Sequence, residues 1–396
     1  MEKIENSYTG PRSVENATEQ IITHDGLFHA DEVFADAILE DLLPQYMKVG
    51  VADRVKYVDR IRTREQEVLK DAMIAKNKML LDVGGKYNFD LSNLDHHQQG
   101  GAGKRENGIS YAAAGLVWKH YGKEWIDYVE QYTRLAKHDS DEEAEQNRIE
   151  NGEKPSIDPK VLIEKNTGIE RENISQKLSE DEKQLIWEQM DKNFIQFLDA
   201  NDTGDLQAVT CSLANGTEIS GFQFTLPEIV RTANIESHDG RSHYKRFKDT
   251  VELFRMISYS IANKYIDIVE GMRGFDMGKC QFSSDKKTVV IDQVLPPAVY
   301  SFIVANKPEF ADVEYYATLN IKNEYSVMVA PISEGARDYR NPNAIPKNIR
   351  VGNKTSDVNK TLGVNGVSFI HTAGFFANCK DRESAQKLID YCVHYN

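Results

Sequence analysis

The sequence is short of positive charge: 48 lysines and arginines stand against 62 aspartates and glutamates, a net charge of −14 over 396 residues. That deficit argues against a loose electrostatic grip on long nucleic acid. Long apolar runs are also missing. None approaches the roughly 18 residues that a membrane helix requires, so no membrane partner is expected. The opening residues, Met1-Glu2-Lys3-Ile4-Glu5-Asn6, carry no apolar signal core and no arginine-rich, acid-poor presequence, which fits a cytoplasmic protein. Cysteine is sparse as well. Cys211, Cys280, Cys379 and Cys392 form no CxxC pair and no zinc-knuckle spacing, and they read as reduced thiols.

What is present is ordinary for a folded soluble chain, 40% hydrophobic and 28% charged. The length suits two domains. The charge is uneven. Residues 279–396 hold 14 Lys+Arg against 12 Asp+Glu, so the deficit lies in residues 1–278. Between 337 and 360, the cations Arg337, Arg340, Lys347, Arg350, Lys354 and Lys360 face only Asp338 and Asp357. Such a stretch can meet a phosphate, and it can equally be a solvated loop. An acidic first part is easier to understand if it collects divalent cations, whose ligands add to the negative count.

Strand and helix alternate along residues 19–94, the pattern of a parallel sheet with crossover helices. Residues 19–24 read as a buried strand, 30–43 as a helix stopped by Pro44, 54–58 as a strand, 63–75 as a helix, and 78–83 and 88–94 as strands. A helix is expected from Tyr111 to His120, and 138–183 reads as a charged insertion. Helices follow over 180–198 and 243–272, and the main boundary is placed near Gly274. Beyond it, strands at 288–291, 314–320, 325–330 and 367–371 and helices at 297–305 and 382–393 make a second, smaller α/β domain. The domain plan is thus a tail over 1–18, a main domain over 19–275 and a second domain over 276–396.

Two histidine–carboxylate clusters sit just after apolar strands. The first is Thr23-His24-Asp25-Gly26-Leu27-Phe28-His29-Ala30-Asp31-Glu32. The second runs from Asp82-Val83-Gly84-Gly85 to Asp95-His96-His97-Gln98. Strand ends converge on one edge of an α/β sheet, where ligands bind. Histidine with carboxylate suits Mn²⁺, Mg²⁺ or Zn²⁺. Asp25 and Glu32 read as capping or hydrogen-bonding groups rather than ligands. The remainder, His24, His29, Asp31, Asp82 and His96 with one further carboxylate, suffices for two metals bridged by Asp82. Two metals about 3.5–4 Å apart clamp a phosphate and lower the pKa of a bridging water. At a strand end His96 can ligate while His97 faces substrate, stabilising phosphate charge or protonating the leaving oxygen.

Phe28-His29-Ala30-Asp31-Glu32, Asp82-Val83-Gly84-Gly85 and Asp95-His96-His97-Gln98 together resemble the melanocyte-proliferating-gene family. Phe369-Ile370-His371-Thr372-Ala373-Gly374-Phe375 resembles its closing His-x-x-Gly-Phe motif. That family is similar to the DHH phosphoesterase superfamily. The resemblance implies an α/β fold with an N-terminal parallel-sheet DHH-type domain and a C-terminal lobe that grips substrate. It assigns His24, His29, Asp31, Asp82 and His96 to metal, with Asp202 as the remaining carboxylate and Asp199 as the alternative. It assigns His97 to the phosphate, and His371, Gly374 and basic residues such as Arg337, Arg340 or Arg350 to substrate.

The expected activity is metal-dependent phosphodiester hydrolysis. The resemblance implies 3′–5′ exonuclease action on RNA or short oligonucleotides, with two divalent ions, Mn²⁺ first. Two rivals stand beside it: an inorganic pyrophosphatase or small-nucleotide phosphatase, and a non-catalytic module stabilised by metal. No His-Glu-x-x-His helix supports a peptidase. Oligomeric state is left open, a homodimer included.

Overall fold

The computed structural model describes residues 20–42, 59–150, 176–206, 211–212, 218–219, 225–235, 240–333, 339–341, 344–350 and 354–395. The chain divides into two compact units, residues 1–135 with 178–263, and residues 136–177 with 264–396. The predicted strand 54–58 and Arg337 lie outside the described residues.

The first unit opens with β1 (Gln20–Thr23), α1 (Ala30–Leu42), β2 (Asp59–Arg62), α2 (Gln66–Ala72), β3 (Lys78–Leu81), β4 (Tyr87–Asn88) and β5 (Asn93–Leu94). The strands order as β2-β1-β3-β5-β4. All pairs are parallel except β4 with β5. The unbroken apolar runs Ile21-Ile22 and Met79-Leu80-Leu81 are buried throughout, as strands covered on both faces must be. Ile22, Leu80 and Val83 pack on Leu69 and Ala72 of α2. In α1, Val33, Phe34, Ala37 and Ile38 are fully buried, while Asp31 and Glu32 occupy its first turn, where the helix dipole favours anions.

The expected strand over 88–94 is instead two short antiparallel strands around a 3₁₀ turn, Phe89–Leu91. The Asn88 side chain accepts from Leu91 N–H, and Ser92 takes a left-handed conformation, so the chain reverses where apolar content alone suggested extension.

The helix expected to end at His120 continues as α3 (Ala113–Glu150). Residues 138–150 of the expected insertion are therefore helical, and 151–175 lie outside the described residues. The chain then runs through α4 (Glu180–Met190), a π-helical turn (Asp191–Ile195) and α5 (Gln196–Asp202). Ser179 and Glu182 form a reciprocal capping box that starts α4. Phe34 packs edge-on to Phe194, and Trp187 stacks on Trp118. A small pair of strands, β6 (Cys211–Ser212) and β7 (Glu218–Ile219), precedes α6 (Leu226–Ala233) and α7 (His243–Arg273).

The second unit holds β8 (Cys280–Phe282), β9 (Thr288–Val294), α8 (Pro297–Asn306), β10 (Tyr315–Leu319), β11 (Tyr325–Val329), α9 (Lys347–Arg350), α10 (Thr355–Leu362), β12 (Val367–Ile370), β13 (Phe376–Cys379) and α11 (Arg382–His394). Its sheet orders as β12-β13-β11-β10-β9-β8, with only β9 and β10 parallel. Alternation splits the strands between two cores. Val290, Tyr315 and Ala317 face Leu388 and Ile389 of α11, whereas Val289, Ile291 and Tyr316 face Val299 and Ile303 of α8. The protein is therefore mixed α/β with two main sheets and helices packed on them. Among the described residues no helix is long and apolar enough to cross a membrane.

Candidate metal centre

The clusters meet in the first unit, just beyond the C-terminal ends of β1, β3 and β5. His24 follows β1 and is almost fully buried. Its Nδ1 lies 2.9 Å from the Asp25 carbonyl, an acceptor, so Nδ1 carries a proton and Nε2 is the atom that faces inward. Nε2 is 3.0 Å from Glu32 Oε1 and 3.3 Å from Asp82 Oδ2. Burial opposes a charged imidazole, but these two carboxylates outweigh it and raise the pKa to about 10. A cation at this point competes with a proton for the same lone pair.

Asp82 follows β3 with a left-handed backbone, φ 56°, a conformation that disfavours a side chain with Cβ. Gly84 and Gly85, at φ 107° and 66°, complete the turn, and Gly85 N–H donates to Asp95 Oδ2. His96 Nδ1 stands 3.3 Å from Asp82 Oδ1, and its Nε2 stands 3.0 Å from Asp202 Oδ2. His29 Nδ1 is 3.2 Å from Asp202 Oδ1. Asp31 is fully buried, and its Oδ2 accepts from Ala113 N–H at 3.2 Å. Burial, and then the charges of Asp82 and Asp202, push its pKa well above the usual carboxylate range. Asp202 is lowered instead: burial would raise it, but His29 and His96 outweigh that.

His24, His29 and Asp82 each present one ligand atom within 4.8 Å of the others. Asp31, Asp82, His96 and Asp202 do the same, as do Asp82, Asp95, His96 and His97. Asp82 belongs to all three groups. His24 Nε2, Asp31 Oδ1, both Asp82 oxygens and His96 Nδ1 are buried and complete no well-formed hydrogen bond among the described residues, the histidine approaches to Glu32 and Asp82 being ion-pair contacts. Buried polar atoms left this way are costly. Gathered around one carboxylate, they fit one or more divalent cations of the borderline class.

His97 is half exposed, and its Nδ1 is 2.7 Å from Asp95 Oδ1. The Asp95 carboxylate raises its pKa above the ordinary histidine value. Asp95 also accepts from the His97 N–H at 3.1 Å, so it fixes both backbone and ring. This orienting role was not assigned from the sequence, although an aspartate two residues before a histidine is its signal. Glu32 caps His29 N–H at 3.2 Å, as expected of a capping group, and it also reaches His24 and pairs with Arg62 at 3.1 Å. Asp25 is exposed and pairs with Arg64. Asp202 faces the cluster. Asp199 accepts from Gly115 N–H at 2.8 Å and from Arg105 Nη1 at 2.8 Å. A Cβ at Gly115 would lie 1.9 Å from Asp199 Oδ2, so that approach requires glycine.

In the second unit His371, Gly374 and Arg350 gather at the β12–β13 turn. Arg350 Nη1 donates to Thr372 O at 3.0 Å, and a Cβ on Gly374, at φ 78°, would lie 2.4 Å from that same Nη1. Ala373 N–H donates to His371 Nδ1 at 3.1 Å, which puts the proton of the neutral ring on Nε2. Arg340 is committed elsewhere: it donates to the Phe310, Val313 and Val304 carbonyls.

The fold and the site define a mixed α/β protein with a buried histidine–aspartate cluster fit for divalent metal. The family model MYG1_exonuc, described as uncharacterised protein family UPF0160, matches residues 20–393, and the chain belongs to that family. The chain is 22% identical over 379 residues to a MYG1 protein of Schizosaccharomyces pombe, covering 94% of this chain and 97% of the relative. It is 22% identical over 388 residues to a MYG1 protein of Saccharomyces cerevisiae, covering 94% of each. A Mus musculus relative named MYG1 exonuclease is 33% identical over 123 residues, 29% of this chain and 28% of the relative.

Proposed function

We propose that this protein is a divalent-metal-dependent phosphodiesterase, a 3′–5′ exonuclease acting on RNA or short oligonucleotides. The observation that carries the reading is the set of buried ligand atoms that converge on Asp82 without completing hydrogen bonds of good geometry. The exonuclease names carried by the family model and the mouse relative support it. In this reading His24, His29 and Asp82 would hold one ion, and Asp31, Asp82, His96 and Asp202 would hold a second, with Mn²⁺ the first choice and a DHH-type domain arrangement. Bound there, divalent cations would supply neutralisation of phosphate charge and a lowered pKa for attacking water near neutral pH. His97, oriented by Asp95, is the exposed donor for a phosphate oxygen or the leaving oxygen. His371 Nε2–H, the Gly374 turn and Arg350 are proposed to grip substrate phosphate.

The test uses the full chain with Mn²⁺ and offers an RNA oligomer and pyrophosphate in parallel. Mononucleotide release from the oligomer, lost by a factor of about 10³ or more in Asp82→Asn, is the expected result. Phosphate release from pyrophosphate alone, or full activity in Asp82→Asn, overturns the reading.

A further inference from the structure

Between His24 and His29 the chain makes a loop with little regular structure of its own, yet both histidines must be held. The loop is fixed at Phe28. Phe28 N–H donates to Asn234 Oδ1 at 2.9 Å, and Asn234 Nδ2 donates back to Phe28 O at 2.7 Å. One side-chain amide thereby pairs with a backbone unit as a neighbouring strand would. The remaining capacity of the amide is also used. Nδ2 donates to Val230 O at 3.1 Å, and Oδ1 stands 3.2 Å from His243 Nε2. Two donors and two acceptor sites are filled, which fixes the amide's orientation. The Phe28 ring is buried at 5.5 Å from Phe247 and 5.2 Å from His243. The next residue is His29, half exposed and aimed at Asp202.

We propose that Asn234, at the C-terminal end of α6, is a positioning residue for His29 in the candidate metal centre. It acts through the Phe28 backbone and touches no ligand atom. Aspartate at 234 would turn an acceptor toward the Phe28 and Val230 carbonyls, so charge and hydrogen bonding both oppose that substitution. The inference rests on the metal reading above, and the experiment separates the two.

Mn²⁺ binding is measured by calorimetry on the full chain and on Asn234→Ala, Asn234→Asp, His29→Ala, Asp82→Asn and the Asn234→Ala/His29→Ala double variant. Thermal melts run alongside. Asn234→Ala is expected to weaken one Mn²⁺ binding step by about 10- to 100-fold, with a larger loss in Asn234→Asp. On the His29→Ala background, Asn234→Ala is expected to add less than about threefold, because both act on one ligand. Unchanged Mn²⁺ affinity in Asn234→Ala overturns the inference while leaving the metal reading intact, provided Asp82→Asn abolishes binding. Additive losses in the double variant, or equal weakening of every step together with a collapsed melt, assign Asn234 a merely structural role and overturn it too. A parent protein that binds no Mn²⁺ overturns both.

Discussion

At the scale of single residues, the proposed function separates groups that would hold metal from one that would act on substrate. His96 and His97 are adjacent, with rings 4.2 Å apart, but their surroundings differ. His96 is buried between Asp82 and Asp202, and His97 is half exposed on Asp95. His97→Ala is therefore expected to lower kcat by about 10²- to 10³-fold while Mn²⁺ affinity stays within a few-fold. Steady-state kinetics beside calorimetry checks this, and a parallel loss of metal binding would reassign His97 as a ligand. Much of this arrangement is legible in the sequence. Each of His24, Asp82 and His96 directly follows or lies near an apolar strand, and topology brings those ends together. Asn234 was invisible, because its partner is a backbone unit 206 residues away and no side-chain pattern encodes such a contact.

At the scale of elements, legibility follows the strength of the local signal. α1, α11 and β11 carry periodicity, α8 and β10 carry sustained apolar runs, and all fall close to their expected places. β4 and β5 do not, because two-residue strands have no period to detect and Asn88 capping decides the turn. The sequence also offered no signal for how far α3 extends past His120. His120 itself stacks on Phe89 at 3.7 Å and lies 2.6 Å from Tyr87 Oη, tying α3 to β4. Burial, with a smaller contribution from Lys119, lowers its pKa to about 4. The native state thus binds this proton more weakly than the unfolded chain does. The associated stability is complete above the unfolded value near 6.5 and fades as pH falls toward about 4. Chemical denaturation at pH 7.5 and 4.5 should show the loss reduced in His120→Phe by on the order of 1–2 kcal/mol, allowing for partial solvent screening. An equal loss in both proteins would refute it.

At the scale of the whole molecule, the acidic count acquires a place. Asp31 and Asp82 lie within one group with Asp202; burial and then the charges of Asp82 and Asp202 raise Asp31, and burial with the charges of Glu32 and Asp202 raises Asp82 against the opposing pull of His24 and His96. The folded protein bears that repulsion and the unfolded chain does not. Divalent cation should stabilise the native state by mass action, about 2.7 kcal/mol at a hundredfold excess over Kd. Saturating Mn²⁺ is expected to raise Tm by about 5 °C or more over the chelated protein, with little shift in Asp82→Asn. A Tm indifferent to Mn²⁺ would contradict a cation at this site.

The π-helical turn at Asp191–Ile195 changes how the helical stretch on either side of it can vary. One surplus residue in that turn advances the downstream part by roughly 100° about its axis. Upstream, Trp187 and Met190 answer to the tryptophan stack and the interior; downstream, Asp199 and Asp202 answer to Gly115 and the histidines. The turn works as a vernier between two gauges. Removing a single residue from the vernier would dial Asp202 away from His29 and His96 at once.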